Sequence, residues 1–483
     1  TAGLGPQQTI AWFGEQEPVS APGAMALASA LQAAGRSDAA GSIVRHWWRN
    51  KAFSAESQNR MQARFATLIR AEDQAARAEM LADAGVTWNS RRLRMNDALK
   101  AMSHREAYGH IVGHVPPLGA DFADAEFFAG WLALRKLNDP ALADTHFARI
   151  EQAGRSPVTR ARAHYWRGRA AEARGDAAGA QAHYLEGARY PTVFYGQLAA
   201  EKAGVRTLQL PAEVQPTAED RALFENRELV RAVRILAAAG EKSLLNVFVT
   251  HLDDRLEAGE LALLVDLARS YGEPMLAMNV VRAGAQRGIV MPERGFPLRT
   301  PPQVYGGPEP AFVLGIIRQE SGFQPDIRSS AGARGFMQLL PSTAEIVARK
   351  LGVAYEPAML TDPEYNMRLG SKYLGDQVDR FSGSYVMAAA AYNAGPGRPA
   401  QWISFCGDPR TGGTDPIDFI ECIPFSETRN YVMRVLENVQ IYRARLNGGS
   451  APLTLSADLR RGAWAPGQQM QAYTGPVGGT APY

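Results

Sequence analysis

Along the first two thirds of the chain, apolar residues recur at intervals of three and four, the period of an amphipathic helix. Almost no stretch alternates in the way that would predict a strand. From about Ala21 to Gly204 the text is rich in Ala, Arg and Leu, and one pattern repeats within it. A helix leads into a short Gly, Asp or Asn turn, and a second helix follows with a small residue four positions before an aromatic one. It reads Trp131-x-x-Leu134, turn Asn138-Asp139, Ala143-x3-Phe147. It reads again as Trp166, turn Gly175-Asp176, Ala180-x3-Tyr184, with the two turns 37 residues apart. A looser copy is Gly35-Arg36-Ser37-Asp38 followed by Ile43-x3-Trp47. Pairs of this kind predict a stack, because one pair alone cannot bury its apolar face. An irregular helical bundle is the alternative.

These pairs resemble tetratricopeptide-type repeats. A Pro-containing break at Leu208–Pro216 separates them from a second helical block, about 217–290. There the spacing in Leu229-Val-x-Ala-Val-x-Ile-Leu236 and Leu261-x-Leu-Leu-Val-x-Leu267 suits packed helices. A Pro/Gly-rich connector, Pro292 to Pro310, predicts a helix interruption. The next block runs to about Asn447. The remaining Gly448–Tyr483, rich in Gly, Pro, Ser and Gln, predicts a largely unpacked tail.

Composition narrows the chemistry. A length of 483 residues suggests about three domains. With 46% hydrophobic and 21% charged residues, the chain has the make-up of a folded soluble protein, not a disordered one. A net charge of +3 does not mark a dedicated nucleic-acid binder. Apolar runs such as Ala311–Ile317 fall far short of the roughly 20 residues that span a bilayer. Two cysteines, Cys406 and Cys422, exclude a disulfide-dense scaffold and a four-cysteine zinc site. All eight histidines lie at or before His251, so the last third offers no Ser-His-Asp, Cys-His or histidine–zinc chemistry. His110 and His114 share a helix face but lack the Glu of a zinc-protease motif. No metal and no cofactor are expected.

One carboxylate stands out. On a helix, Phe312, Ile316 and Glu320 fall at i, i+4 and i+8, so Glu320 continues an apolar stripe while Arg318 and Gln319 point elsewhere. Desolvation there favours the neutral acid, as a general acid near neutral pH requires. A helix-end Glu satisfied by backbone or by an Arg is the structural alternative. Downstream come Ser329-Ser-Ala-Gly-Ala-Arg-Gly335-Phe-Met-Gln338-Leu-Leu-Pro341, Asp362-Pro-Glu-Tyr-Asn366-Met-Arg-Leu-Gly370, Ala390-Ala-Tyr392-Asn393-Ala394-Gly395 and Ile423-Pro-Phe-Ser-Glu427-Thr-Arg-Asn-Tyr431-Val. With Glu320-Ser-Gly-Phe, these ordered blocks resemble the soluble lytic transglycosylase family. Upstream, Tyr190-Pro-Thr-Val-Phe-Tyr195-Gly196-Gln-Leu-Ala-Ala-Glu201 is similar to text its members carry in their helical region.

The resemblance implies a mainly α fold: an N-terminal α-superhelix of helical pairs followed by a lysozyme-like α-rich catalytic domain. It divides the chain into a superhelix (1–215), a helical linker domain (216–295), the transglycosylase domain (296–447) and a flexible tail (448–483). Glu320 matches the single catalytic acid/base. Ser329, Met337, Gln338, Tyr392, Asn393 and Glu427 match positions around the sugar subsites. Core packing is the alternative for Met337, and an N-cap with its first turn is the alternative for Ser426-Glu427-Thr428. The implied reaction cleaves the β-1,4 bond between N-acetylmuramic acid and N-acetylglucosamine in peptidoglycan and leaves a 1,6-anhydromuramic acid end. A lysozyme-type hydrolase on the same fold and a non-enzymatic wall-binding scaffold are the rivals. Expected partners are glycan strands, with the repeats offering a surface for other wall enzymes. The expected location is the periplasm, with a signal peptide removed. In such a compartment Cys406 and Cys422 are expected to be bonded, closing a surface loop beside the cleft.

Overall fold

A computed structural model describes residues 4–14, 18, 21–51, 55–84, 88–112, 116–253 and 255–463. These residues form 26 α-helices and one two-stranded antiparallel ladder. The chain divides into two compact units, Thr1–Arg94 and Met95–Tyr483.

In the first unit, helices Ala21–Ala33 and Ser37–Asn50 meet around Ala28, Leu31, Val44 and Trp48, and Met61 and Phe65 close the same core. The buried Arg77 guanidinium donates to the carbonyls of Trp48 and Lys51 at 3.0 and 2.8 Å. It thereby satisfies acceptors that the end of the second helix leaves without intrahelical partners.

The second unit begins its repeats with helices Ala120–Arg135, Pro140–Ile150, Pro157–Ala173 and Ala177–Ala188. The 37-residue offset has a local cause. Asp139 and Asp176 cap their helices by accepting from the Leu142 and Gly179 N–H groups at 2.9 and 2.8 Å. The residue before each cap is left-handed, Asn138 at φ 56° and Gly175 at φ 76°, a conformation that Asn and Gly tolerate best. The paired helices approach closely because the Phe147 and Tyr184 rings lie on Gly130 and Gly168, where an added Cβ would come within 2.4 and 2.5 Å. Phe127, Phe147, Trp166, Tyr165 and Tyr195 continue as an aromatic chain with centroids 5.2 to 6.2 Å apart.

The second helical block closes on Val230, Val233, Leu245, Leu261, Val265 and Val281. After the connector, helix Pro310–Glu320 packs along the long helix Ser426–Leu446, with Gly315 close to the Val435 carbonyl. Phe312 stacks on Tyr385 at 4.2 Å.

Cys406 and Cys422 are joined in a disulfide. The segment it closes ends in helix Pro416–Cys422, which meets the repeats through three acids one helical turn apart. Asp415 accepts from Arg169 at 3.0 Å, and Asp418 from Trp131 and Arg135 at 3.0 and 2.7 Å. Glu421, fully buried, accepts from Arg162 at 3.1 Å and from the Tyr195 hydroxyl. The Tyr190–Glu201 text singled out in the sequence is thus a docking segment. Besides Tyr195, its Phe194 N–H donates to Glu437 Oε2 at 2.6 Å, and Gln197 to the Glu437 carbonyl at 3.2 Å.

The expected tail needs correction. Ser450–Pro452 pairs antiparallel with Thr207–Gln209, Leu208 opposite Ala451, and helix Leu455–Leu459 follows. Leu453, Leu455 and Leu459 bury their side chains. Asp458 accepts from Gln440 at 2.6 Å and from Arg443 at 3.0 Å. Burial and ion pairing therefore hold residues 450–459 against the long helix. Residues 464–483 lie outside the described residues.

Candidate active site

Helix Pro310–Glu320 starts with Pro at its first turn, where a missing N–H costs nothing, and its residues Ala311–Arg318 are all buried. The sequence placed Arg318 away from the apolar stripe, yet it is buried too. Its Nε donates to the Gly295 carbonyl at 2.7 Å and Nη1 to Asn438 Oδ1 at 3.1 Å, with the guanidinium 4.0 Å from the Phe296 ring centroid. The helix is wrapped on all sides, so the stripe describes only one of its buried faces.

Glu320 is its last helical residue. Burial pushes its carboxyl up to about 7, the charge of Glu427 pushes the same way, and a hydrogen bond from Tyr431 pulls it down. The last-turn carbonyls also oppose a negative charge there. Tyr431, itself buried, donates its hydroxyl to Glu320 Oε1 at 2.6 Å. Immediately beyond, Gly322 and Phe323 are left-handed at φ 55° and 69°. Ser321 Oγ braces this reversal by accepting the Phe323 N–H at 3.1 Å. Phe323 and Gln338 (φ 45°) are left-handed non-glycine residues in the same short loop region, the kind of backbone strain that persists only where surroundings enforce it.

The other expected residues fall as follows. Tyr392 donates to the Met337 carbonyl at 2.8 Å and its ring lies 5.3 Å from that of Tyr373. Burial and then the Glu320 charge hold its phenol well above the ordinary value, which places it within electrostatic reach of Glu320. Asn393 Oδ1 accepts from the Thr428 hydroxyl at 2.6 Å, which orients the amide so that its N–H₂ end is available to a ligand. Gln338 Nε2 donates to the Ile327 and Gly335 carbonyls at 3.2 and 2.9 Å, leaving Oε1 as the free acceptor end. Glu427 is exposed in the first turn of helix Ser426–Leu446. Ser426 is the first residue of that helix, not its cap, since Phe425 occupies the cap position.

Met337 and Ser329 lie in contrasting surroundings. Met337 is fully buried with its thioether against Gly370, and its N–H donates to Asn366 Oδ1 at 2.8 Å. Its side chain belongs to the core, and it serves the site through the carbonyl that holds Tyr392. Ser329 is exposed, and its Oγ accepts the Ala333 N–H at 3.0 Å within its own turn. The structure thus brings Tyr392 and Glu427 within charge interaction of Glu320 and links Asn393 and Gln338 to the same framework.

Sequence reasoning missed Tyr431, Thr428 and Asn366. Tyr431 lies four residues after Glu427 on one helix face, and that spacing was the available signal. Asn366, fully buried, donates to the carbonyls of Arg334 and Leu360 at 3.0 and 2.9 Å and so fixes the loop that carries Met337 and Gln338. Among the described residues, no three His, Cys, Asp or Glu side chains cluster as metal ligands. His114 of the paired-histidine motif lies outside the described residues.

Comparison with known proteins adds the following. Residues 303–410 match the Transglycosylase SLT domain, and residues 422–451 match the Soluble lytic transglycosylase helical domain. The soluble lytic murein transglycosylase of Escherichia coli strain K12 is 38% identical over 149 residues, which cover 30% of this chain and 22% of that protein. The putative soluble lytic murein transglycosylase of Haemophilus influenzae is 37% identical over 152 residues, 31% of this chain and 25% of that one. The matched stretch therefore spans about a quarter or less of these relatives' length. The fold is also that of an inactive mutant of lytic transglycosylase Slt from Pseudomonas aeruginosa, with a TM-score of 0.58 at 24% identity, covering 93% of this chain and 71% of that one. The mainly α architecture expected from the sequence is the one found.

Proposed function

We propose that this chain, which resembles the soluble lytic transglycosylases, cleaves the β-1,4 bond between N-acetylmuramic acid and N-acetylglucosamine in peptidoglycan without admitting water. One observation carries the reading: the matched domain ends a buried helix in a half-buried carboxyl group, Glu320, held by the Tyr431 hydroxyl and pushed up to about 7 by desolvation. Ordinary glycosidases need two carboxylates with divided roles. Here Glu320 first protonates the glycosidic oxygen, with the substrate's acetamido group supporting the positive charge that grows at the anomeric carbon. Once ionised, Glu320 takes the proton from the muramyl C6 hydroxyl as that oxygen closes on C1. The bond to the leaving sugar breaks, the C6–O–C1 bond forms, and the proton balance returns Glu320 to its acid form. Because the nucleophile is part of the substrate, proximity replaces a second catalytic group.

The same reading assigns supporting roles. Tyr431 fixes which carboxyl oxygen faces the substrate. Tyr392 offers a ring face and hydroxyl to an amphipathic sugar. Asn393 Nδ2 and Gln338 Oε1 are a donor and an acceptor suited to an N-acetyl group. Glu427 acts by its charge. Residues 1–215 and 216–295 would form the scaffold that presents a polymeric substrate or neighbouring wall enzymes to the domain at 296–447. The reading places the enzyme in the periplasm, facing the wall. No helix among the described residues is long and apolar enough to cross a membrane. Digestion of purified peptidoglycan followed by mass spectrometry tests the proposal. Anhydro ends, lighter by one water than reducing ends, support it. Reducing ends alone would assign the site to a hydrolase, and no release would leave a wall-binding scaffold.

A further inference from the structure

A cavity of about 330 Å³ lies where three segments meet: the turn before helix Phe194–Lys202, helix Pro274–Gln286, and the last turn of Pro310–Glu320. Its walls carry the guanidinium groups of Arg282, Arg318 and Arg434 and one carboxylate, Glu437. That carboxylate is already engaged, by Arg434 at 2.9 Å and by the Phe194 N–H at 2.6 Å. Arg282 donates only to neutral oxygens, the Arg318 carbonyl at 3.2 Å and Asn279 Oδ1 at 3.4 Å. Arg318 likewise reaches only the Gly295 carbonyl and Asn438. Among the described residues neither has a carboxylate partner within ion-pair distance.

Three positive charges thus face one negative charge across a partly buried space, and they feel one another. Burial first, and then the Arg434 charge, hold Arg282 below the usual guanidinium range. Burial brings Arg318 down to about 10, with Arg282 and Arg434 contributing and Tyr442 and Glu437 opposing. Partly desolvated like charges are costly unless an anion joins them.

We propose that this cavity is a binding site for a small dianion of the phosphate or dicarboxylate class, held between Arg282, Arg318 and Arg434. The guanidinium fork matches both kinds of oxyanion in bidentate geometry. The volume is at the small end of the ~300–1,000 Å³ typical of ligand sites. Val281, Ile289 and Phe296 supply an apolar wall suited to a short carbon chain. The cavity adjoins the helix turn that ends at Glu320, but its test reads anion binding and does not depend on glycan cleavage.

Isothermal titration of the full chain at low ionic strength, with inorganic phosphate and glutarate in separate experiments, tests the assignment. Saturable one-to-one binding of at least one is expected. Glutarate alone would identify a dicarboxylate site, and phosphate alone a phosphate site. Arg282→Gln and Arg434→Gln should each weaken binding about tenfold or more. Arg349→Gln, whose ion pair with Glu345 lies on an exposed helix face, should leave it unchanged. Failure of both anions to bind, or unchanged affinity in folded Arg282→Gln and Arg434→Gln proteins, would overturn the proposal.

Discussion

Replacing Glu320 by Gln should stabilise the protein, and by an amount that depends on pH in a defined direction. The side chain keeps its shape, and Gln Oε1 can still accept the Tyr431 hydroxyl bond. In the folded wild type the carboxyl titrates near 7, against an ordinary value of 4.5 expected in the unfolded chain. Below about pH 4.5 both states hold the proton and the group contributes nothing to pH dependence. As pH rises towards 7 the unfolded state releases its proton while the folded state retains it, so stability falls. Each pH step in that window costs about 1.4 kcal/mol, and the whole window roughly 3 kcal/mol. Glu320→Gln removes this penalty. The variant should match the wild type at pH 4 to within the small effect of the amide and exceed it at pH 8 by roughly 2–3 kcal/mol. Urea unfolding followed by circular dichroism, on both proteins at each pH, measures the difference. A gain that is the same at pH 4 and pH 8, or no gain at pH 8, would refute the claim that Glu320 is held protonated by burial.

Three further outcomes are expected. Tyr431→Phe removes the hydrogen bond that holds the Glu320 carboxyl down, so the acid form should persist higher. At about 1.5–3 kcal/mol for a bond to a charged group, the alkaline limb of kcat/KM should move up by about one to two pH steps, and an unmoved limb would contradict the role given to Tyr431. Glu421→Ala leaves Asp124 as the remaining carboxylate shared by Arg162 and Arg429 and the buried Tyr195 hydroxyl without its acceptor, and should cost about 1–3 kcal/mol in urea unfolding, with no measurable loss counting against it. Reduction of Cys406–Cys422, which closes a separation of 16 residues, should destabilise the protein by roughly 3 kcal/mol in the chain-entropy view. A Cys406→Ser/Cys422→Ser double variant as stable as the oxidised protein would show the staple to be idle.

What the sequence disclosed was local. The 37-residue offset was legible because each turn is specified by adjacent residues, a left-handed Asn138 or Gly175 followed by a capping Asp. Glu320 was legible because its helix carries an apolar stripe ending at the carboxylate. What stayed hidden was decided by partners far along the chain. Arg318 is buried because Asn438, 120 residues away, and Gly295 satisfy its guanidinium. Residues 450–452 look like linker text, yet they pair with a three-residue strand more than 240 positions earlier, and a strand that short leaves no periodicity to read. Met337 and Tyr431 sit in recognisable motif text, but only packing distinguishes a side chain that fills the core from one that grips the acid.

The central claim is that one carboxyl group performs both proton transfers and that the sugar's own hydroxyl replaces water. Mass spectrometry of the fragments released from purified peptidoglycan by wild type and by folded Glu320→Gln, under matched conditions, addresses it most directly. The account predicts 1,6-anhydromuramyl ends from the wild type and their near-complete loss in the variant. Reducing ends from the wild type, or near-normal anhydro release by the variant, would contradict it.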